Sequence, residues 1–112
     1  MYTYKADVIR IIDGDTVIVD IDLGFGVWLR GQTIRLAKIN APELRGESLE
    51  AGTDSKTYLS KLVLDKRVMI RTEKGSKEKY GRWLGVILLE DDKNLIDINH
   101  KMITDGYAKA YK

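Results

Sequence analysis

A pair of β-branched runs joined by a short polar turn occupies Val8-Ile9-Arg10-Ile11-Ile12-Asp13-Gly14-Asp15-Thr16-Val17-Ile18-Val19-Asp20-Ile21. Branched side chains favour strands and Asp-Gly is a preferred hairpin turn, so this stretch predicts two antiparallel strands. The second run has three consecutive apolar residues where strict alternation would place a polar one. That departure favours a small closed barrel over a sheet with one solvated face.

The chain then continues through a second turn into a third strand. Leu23–Gly26 contains two glycines and predicts the turn, and Val27–Ile39 predicts the strand, with an interruption at Gly31. Pro42 ends this strand because proline has no N–H to donate to a neighbouring strand.

A helix and two further strands are predicted in the second half of the chain. Apolar residues recur at helical spacing in Gly46–Leu64, and Ser48 or Thr53 is expected to cap this helix. The remaining predicted elements are a strand at Lys66–Thr72, a charged loop at Glu73–Gly81, a strand at Trp83–Leu89, a helix at Leu95–Thr104 ending near Gly106, and a tail at Tyr107–Lys112.

This order of elements predicts a mainly β protein with helices. Five strands, with one helix after the third strand and a short C-terminal helix, fit a five-stranded Greek-key OB-fold barrel in a single domain, residues 1–112. An OB fold often binds nucleic acid or sugars on one face, but the fold alone does not assign a function.

The composition excludes several kinds of site. The 112 residues include no cysteine and one histidine, His100, which removes disulfides, thiolate nucleophiles and two-histidine metal sites. His100 is expected on the surface. No apolar run approaches the roughly 20 residues that span a membrane, and Met1–Lys5 lacks the apolar stretch of a signal peptide. We therefore expect a cytoplasmic protein, or a secreted one if a leader has been removed.

Basic residues are concentrated in one segment. The net charge is +2, yet the 17 positions from Lys66 to Arg82 hold seven basic residues against two acidic ones, and acidic residues gather elsewhere. A basic segment beside a separate acidic cluster suits a phosphate groove with a cation site. The same charges also fit a strand–loop–strand unit with solvated lysines.

Three charged residues near strand ends are candidates for phosphodiester chemistry. Arg35 lies in an otherwise apolar strand, where a guanidinium either grips phosphate oxygens or pairs with an aspartate. Glu43 follows a rigid turn and suits a general base, or is an exposed loop carboxylate. Arg82 follows Gly81 and precedes a strand, and Tyr80 offers a phenol donor or a surface for base stacking.

Oxygen donors for a divalent cation are also present. Asp15, the side-chain oxygen of Asn40 and the carbonyl of Ala41 are ligands of the kind that hard cations prefer, with water completing the shell. Without the other motifs, the Asp13–Asp15 segment reads only as a good hairpin turn.

Taken in order, these motifs resemble one family. Asp13–Thr16, Arg35–Glu43, Lys79–Arg82 and Gly106–Lys109 together look like the staphylococcal nuclease (thermonuclease) family, from about residue 5 onward. The resemblance implies an OB-fold barrel with helices and calcium-dependent hydrolysis of phosphodiester bonds in DNA and RNA.

The resemblance also implies residue roles. Arg35 and Arg82 match the family's phosphate-binding, transition-state arginines, and Glu43 matches its general base. Asp15 and the Ala41 carbonyl match calcium ligands. Lys79, Tyr80 and Tyr111 match residues that contact the nucleotide's phosphate and base.

Three departures from the family pattern stand out. Asn40 replaces a metal-ligating aspartate, which keeps an oxygen but removes a negative charge and should weaken cation binding. Ala41 replaces a threonine, so a hydroxyl near Glu43 is lost. The chain stops at Lys112, where the best-known member continues into a helix. A lower stability, or an apolar face that a partner covers, is the expected result.

Two main hypotheses follow from the sequence. The first is a nuclease that uses Ca²⁺ or another divalent cation on DNA or RNA, with single strands preferred. The second is a catalytically weak or inactive nucleic-acid-binding module of the same fold. A third is an interaction domain completed by a partner or a second copy, so the expected state is a monomer or a dimer without membrane contact.

Overall fold

The structure is a computed structural model that describes residues 2–77 and 81–111, with side chains omitted for 73–77. Its first three strands are β1 (Tyr2–Asp13), β2 (Thr16–Gly24) and β3 (Val27–Leu36), joined by the two predicted turns. Gly31 has a φ of +65°. It lies where the β2–β3 register shifts, so the predicted interruption is a bulge inside a continuous strand.

Eight further elements follow in chain order. They are β4 (Ile39–Asn40), a 3-10 turn (Gly46–Ser48), α1 (Leu49–Val63), β5 (Arg67–Lys77), β6 (Trp83–Asp91), β7 (Asn94–Asp97), α2 (Ile98–Thr104) and β8 (Lys109–Ala110).

The main sheet closes into a barrel. Its strand order is β3-β2-β1-β5-β6-β7, and β3 also pairs in parallel with β6, so five strands form a closed ring. We call the paired segment of β3 and β6 the seam. β4 and β8 form a separate two-stranded ribbon beside it. The predicted fold class, a five-stranded barrel with a helix after the third strand and a short C-terminal helix, is confirmed.

The core fills the barrel and the space under both helices. Its largest fully buried side chains include Ile34, Leu36, Ile39, Leu59, Ile70, Ile87, Ile98 and Met102. The consecutive apolar residues of β2 are not all buried: Val17, Val19 and Ile21 face the core, and Ile18 between them is half-buried. The barrel is closed by the pairing of β3 with β6.

The predicted end of the third strand is wrong: β3 ends at Leu36, well before Pro42, and Ile39–Asn40 pairs separately with Lys109–Ala110.

Two other predicted boundaries are wrong because strand pairing extends further than local composition suggests. The charged segment predicted as a loop begins as strand, since β5 continues to Lys77, which pairs with Trp83. Leu95–Asp97 is strand and not helix, because it pairs with the end of β6. The helix α2 starts only after Asp97, whose carboxylate accepts a hydrogen bond from the His100 N–H at 3.0 Å.

The predicted helix ends and tail need further correction. Ser48 precedes α1, but its hydroxyl donates to the carbonyls of Glu43 and Arg45 and not to a helix N–H. Thr53 lies inside the helix. The tail contains β8, and Gly106 ends α2 with a φ of +84°, as predicted. His100 is exposed, also as predicted.

None of the helices in the described part of the chain is long and apolar enough to cross a membrane.

Asn99 joins the seam to the β3–β4 turn. It is 4% exposed. Its Oδ1 accepts from the Ile87 N–H at 3.1 Å, and its Nδ2 donates to the carbonyls of Ala37 and Gly85 at 3.0 Å. This side chain therefore holds the start of the loop that leads to Glu43 against β6.

Candidate active site

Asp15 anchors the candidate site from the turn between β1 and β2. It is 6% exposed, so its charge requires polar partners. Its Oδ1 accepts from the Thr16 hydroxyl at 3.0 Å, and its Oδ2 accepts from the Ala41 N–H at 2.8 Å. The Asp15 carbonyl accepts from the Leu36 N–H at 2.7 Å, which ties the turn to the end of β3.

Arg35 joins the two predicted oxygen ligands. Its Nη2 lies 3.4 Å from the Asp15 Oδ2 and 3.4 Å from the Asn40 Oδ1. Its Nη1 donates to the Leu36 carbonyl at 2.8 Å, which fixes the plane of the guanidinium. The structure thus brings together Asp15, Arg35 and Asn40, with Ala41 bonded directly to Asp15. Of the two alternatives that the sequence left open for Arg35, the structure shows the ion pair with an aspartate.

A second carboxylate lies on the same turn. The Asp13 Oδ1 accepts from the Asp15 N–H at 3.0 Å. Burial, together with the adjacent Asp15, raises the pKa of Asp13 to about 6. The charged form of Asp13 is therefore disfavoured at the turn where the sequence predicts the cation, and a bound cation would offset this cost.

Small residues allow the site segments to approach one another. A side chain on Gly14 would overlap the Ser55 Oγ and come within 2.8 Å of the Ala41 Cβ. Ser55 lies on α1 and donates to the Tyr107 carbonyl at 2.9 Å. The turn, the loop after β4, the helix and the C-terminal segment thus meet at one point. Sequence reasoning missed Ser55, because its partner lies 52 positions away.

Gly52 supports the backbone of Glu43 in the same way. A Cβ on Gly52 would lie 2.5 Å from the Glu43 carbonyl oxygen. A backbone carbonyl cannot yield as the end of a flexible side chain can, so the close approach requires glycine.

We expect Gly52→Ala to displace the Glu43 turn. Although alanine favours a helix, overlap with a backbone atom should cost about 1–3 kcal/mol of unfolding free energy and lower any catalytic rate that depends on Glu43. Urea denaturation and a kinetic assay on the purified variant measure the two effects. Thr57→Ala, on an exposed position of the same helix, is the control. An unchanged stability and rate for Gly52→Ala would contradict this account.

The Glu43 carboxylate is exposed. Its side chain is 67% exposed and its Oε2 accepts from the Arg45 Nε at 2.9 Å. Such an exposed pair contributes little to stability, so the carboxylate can leave it at small cost. Arg45 was not among the predicted site residues. Only its position, two residues after Glu43, could have indicated the contact.

Arg82 lies at the seam. It immediately precedes β6, and the first residues of that strand pair with the end of β3: Trp83 with Ile34 and Leu84 with Arg35. The pairing places Arg82 two residues before the partner of Arg35, just before the adjoining strand begins. Lys79 and Tyr80 lie outside the described residues.

Tyr111 reaches the site through the β4–β8 ribbon. Its N–H donates to the Lys38 carbonyl at 2.8 Å, and its side chain is 58% exposed. Lys109, which sequence reasoning missed, pairs with Asn40 in this ribbon. Lys109 therefore lies opposite the predicted ligand Asn40, and the exposed Tyr111 lies two residues further along the chain.

The donors present fit a hard cation only weakly. Within residues 2–77 and 81–111, no group of three or more Asp, Glu, His or Cys side chains could hold a metal ion. Asp15 supplies one carboxylate, and the Asn40 side chain and the Ala41 carbonyl supply two neutral oxygens. Such a site suits a hydrated Ca²⁺ or Mg²⁺ that is bound with low affinity.

Comparisons with known proteins show which family this chain resembles. A model of the Staphylococcal nuclease homologue family matches residues 33–112. The thermonuclease of Staphylococcus hyicus is 30% identical over 96% of this chain and 59% of its own length. The micrococcal nuclease of Shigella flexneri is 34% identical over 97% of this chain and 59% of its own.

An uncharacterized protein of Methanocaldococcus jannaschii is 30% identical over 96% of this chain and 59% of its own length. The chain thus spans about three fifths of the length of these relatives. The family match covers more than half of the chain, including the segment from Arg35 to Glu43. The predicted resemblance is confirmed, and the chain belongs to the staphylococcal nuclease homologue family, whose nuclease members hydrolyse phosphodiester bonds.

Proposed function

We propose that this protein is a metal-dependent nuclease that hydrolyses phosphodiester bonds of DNA, RNA or both. The observation that carries the proposal is the position of the Arg35 guanidinium, 3.4 Å from both the Asp15 and the Asn40 oxygens. A guanidinium held beside cation ligands can contact the same phosphate that the cation contacts. The names of two relatives, a thermonuclease and a micrococcal nuclease, support the same activity.

In the proposed mechanism, three side chains act on one phosphate. Glu43 takes a proton from a water that attacks phosphorus in line, and the bond to the leaving oxygen breaks. Arg35 lies on β3 at the seam and Arg82 immediately precedes β6, and both donate to the equatorial oxygens as negative charge develops. A divalent cation held by Asp15, Asn40 and the Ala41 carbonyl would neutralise phosphate charge as a Lewis acid.

The proposed substrate is a single-stranded polynucleotide. An unpaired base can stack on an aromatic side chain, and Tyr111 presents an exposed ring two residues after Lys109, which lies in the β4–β8 ribbon. The family resemblance also predicts that Lys79 and Tyr80 contact the phosphate and base of the nucleotide.

Digestion of single-stranded DNA and RNA in calcium and in EDTA tests the proposal. We expect cleavage in calcium, none in EDTA, and a loss of roughly 100-fold or more for Arg82→Ala, since removing one donor to a developing oxyanion costs that much in other enzymes. Undiminished cleavage by purified Arg82→Ala would overturn the mechanism.

The metal ligand set leads to a prediction at Asn40. Asn40→Asp restores a carboxylate near Asp15 and should tighten calcium binding by on the order of tenfold, because a second negative charge attracts the cation. Calorimetric titration with calcium measures the change. Asn94→Asp adds the same charge on exposed β7 and should leave the affinity unchanged. Equal affinities for wild type and Asn40→Asp would show that position 40 does not face the ion.

A nucleic-acid-binding module without catalysis is the second candidate. The single carboxylate among the three proposed ligands favours it, since the cation would then bind weakly. This candidate predicts salt-dependent binding to single strands without turnover. Cytoplasmic location, a single domain and a monomeric or dimeric state stay predictions.

A further inference from the structure

An open groove with a cationic rim lies on the outer face of the barrel beside the proposed site. It has a volume of about 280 Å³. We call it the β6 groove and define it by Lys38, Arg71, Leu84, Val86, His100 and Ile103, which line it. None of these residues belongs to the catalytic or cation-binding set above.

The β6 groove is continuous with the proposed active site. Leu84 is the register partner of Arg35 across the seam, and Val86 is the register partner of Arg71 on β5. Paired residues share one face of a sheet, and residues two apart on a strand share it too. An apolar floor therefore runs from Arg35 to Arg71 along the outer face of β6.

The floor is held rigidly. The Ala37 N–H donates to the Gly85 carbonyl at 2.9 Å, and the Asn99 side chain bonds both of those residues from below. The β3–β4 turn, which carries Lys38, is thus fixed to β6. Lys38 itself has a φ of +66° and an exposed side chain.

The charges around the β6 groove favour an anionic occupant. Lys38 and Arg71 stand against one carboxylate, Asp97, whose Oδ1 already accepts from the backbone N–H of His100. Among the side chains that the structure describes, neither Lys38 nor Arg71 has an ion-pair partner. Two cations beside an apolar floor suit a phosphate–sugar–base unit, since the phosphates can pair with the cations while the sugar or base covers the floor.

We propose that the β6 groove binds a nucleotide that flanks the scissile phosphate of a single-stranded polynucleotide. The Leu84–Val86 floor lies under its sugar or base, and Arg71 and Lys38 contact its phosphates. The inference rests on the proposed function, because it extends the path of the same substrate beyond Arg35.

Binding measurements on short and long oligonucleotides test this subsite. Phosphorothioate-linked thymidine oligonucleotides, which resist hydrolysis, are titrated in calcium as a dinucleotide and as a decanucleotide, with fluorescence anisotropy as the readout. For Arg71→Ala and Lys38→Ala we expect several-fold weaker binding of the decanucleotide, and a salt slope reduced by roughly 0.7 for each charge removed. Dinucleotide affinity should stay unchanged, and Arg71→Lys should retain most of the binding.

Controls separate this inference from the proposed function. Lys61→Ala removes an exposed charge on α1, away from the β6 groove, and should bind both oligonucleotides as the wild type does. Arg35→Ala should weaken both. If Arg35→Ala weakens both and the groove variants bind the decanucleotide normally, the inference fails and the proposed function stands.

Two other outcomes also overturn the inference. If the wild type binds neither oligonucleotide, both the inference and the proposed function fail. If light scattering shows a dimer that Arg71→Ala dissociates, the β6 groove is an interface between two copies of the chain.

Discussion

Replacing Arg35 with lysine is expected to reduce the kcat for single-stranded DNA by roughly 100-fold, with a smaller change in KM. The guanidinium is held by one carbonyl at 2.8 Å and by two side-chain oxygens at 3.4 Å, so its donors have a fixed direction. An ammonium keeps the positive charge but supplies no planar fork. The loss should therefore appear in the transition state more than in substrate binding.

The Arg35→Lys measurement needs a control for folding. Arg30→Lys is matched to it, since Arg30 lies on the same strand, is exposed and pairs with Asp20 at 3.0 Å away from the site. We expect this control to retain wild-type kcat. A kcat for Arg35→Lys within about twofold of wild type, with the fold intact, would show that position 35 needs only a charge, contrary to the bidentate grip.

The largest effect on stability is expected at Asn99. Asn99→Ala should lower the free energy of unfolding by about 3 kcal/mol, because three backbone groups each lose a hydrogen bond at once, although the Gly85 carbonyl keeps another, from the Ala37 N–H. The backbone groups that lose a hydrogen bond to the Asn99 side chain are the Ile87 N–H and the carbonyls of Ala37 and Gly85. Urea denaturation measures the change. The variant should also lose activity through movement of the loop from β4 to Glu43.

Asn94→Ala is the control for Asn99→Ala. Asn94 is an exposed asparagine on β7, and its truncation should change stability by less than about 0.5 kcal/mol. Asn99→Asp is a second test, because it keeps the acceptor for Ile87 but loses both donors and buries a charge. A stability of Asn99→Ala equal to that of Asn94→Ala would mean that the three hydrogen bonds do not hold the seam.

Local sequence signals were sufficient for most of the barrel. Turn residues at Asp13–Asp15 and Leu23–Gly26 determine where β1 ends, where β2 begins and ends, and where β3 begins. The start of β1 at Tyr2 and the end of β3 at Leu36 were not predicted. The signal failed at Leu95–Asp97, where a helical pattern is overridden by pairing with the end of β6. Partners on another strand decide such a segment, and their identity is not encoded locally.

In the candidate site, too, local motifs were predicted and contacts between separate elements were not. Asp15, Arg35 and Asn40 were predicted from motifs, and the structure brings them together. Gly52, Ser55 and Asn99, which position those motifs, were not predicted, since each acts through a contact between separate elements of the fold. Contacts of this kind follow from the tertiary fold, whereas catalytic residue types follow from chemistry.

The most direct test of the central claim is the initial rate of single-stranded DNA hydrolysis by wild type and Glu43→Gln, each in calcium and in EDTA. The account predicts calcium-dependent cleavage by wild type and a rate at least about 100-fold lower for Glu43→Gln, since general-base catalysis contributes that much. Oligonucleotide affinity should be unchanged in the variant, because glutamine keeps the size of the exposed side chain. Equal rates for the two proteins, or wild-type binding without any cleavage, would contradict the account.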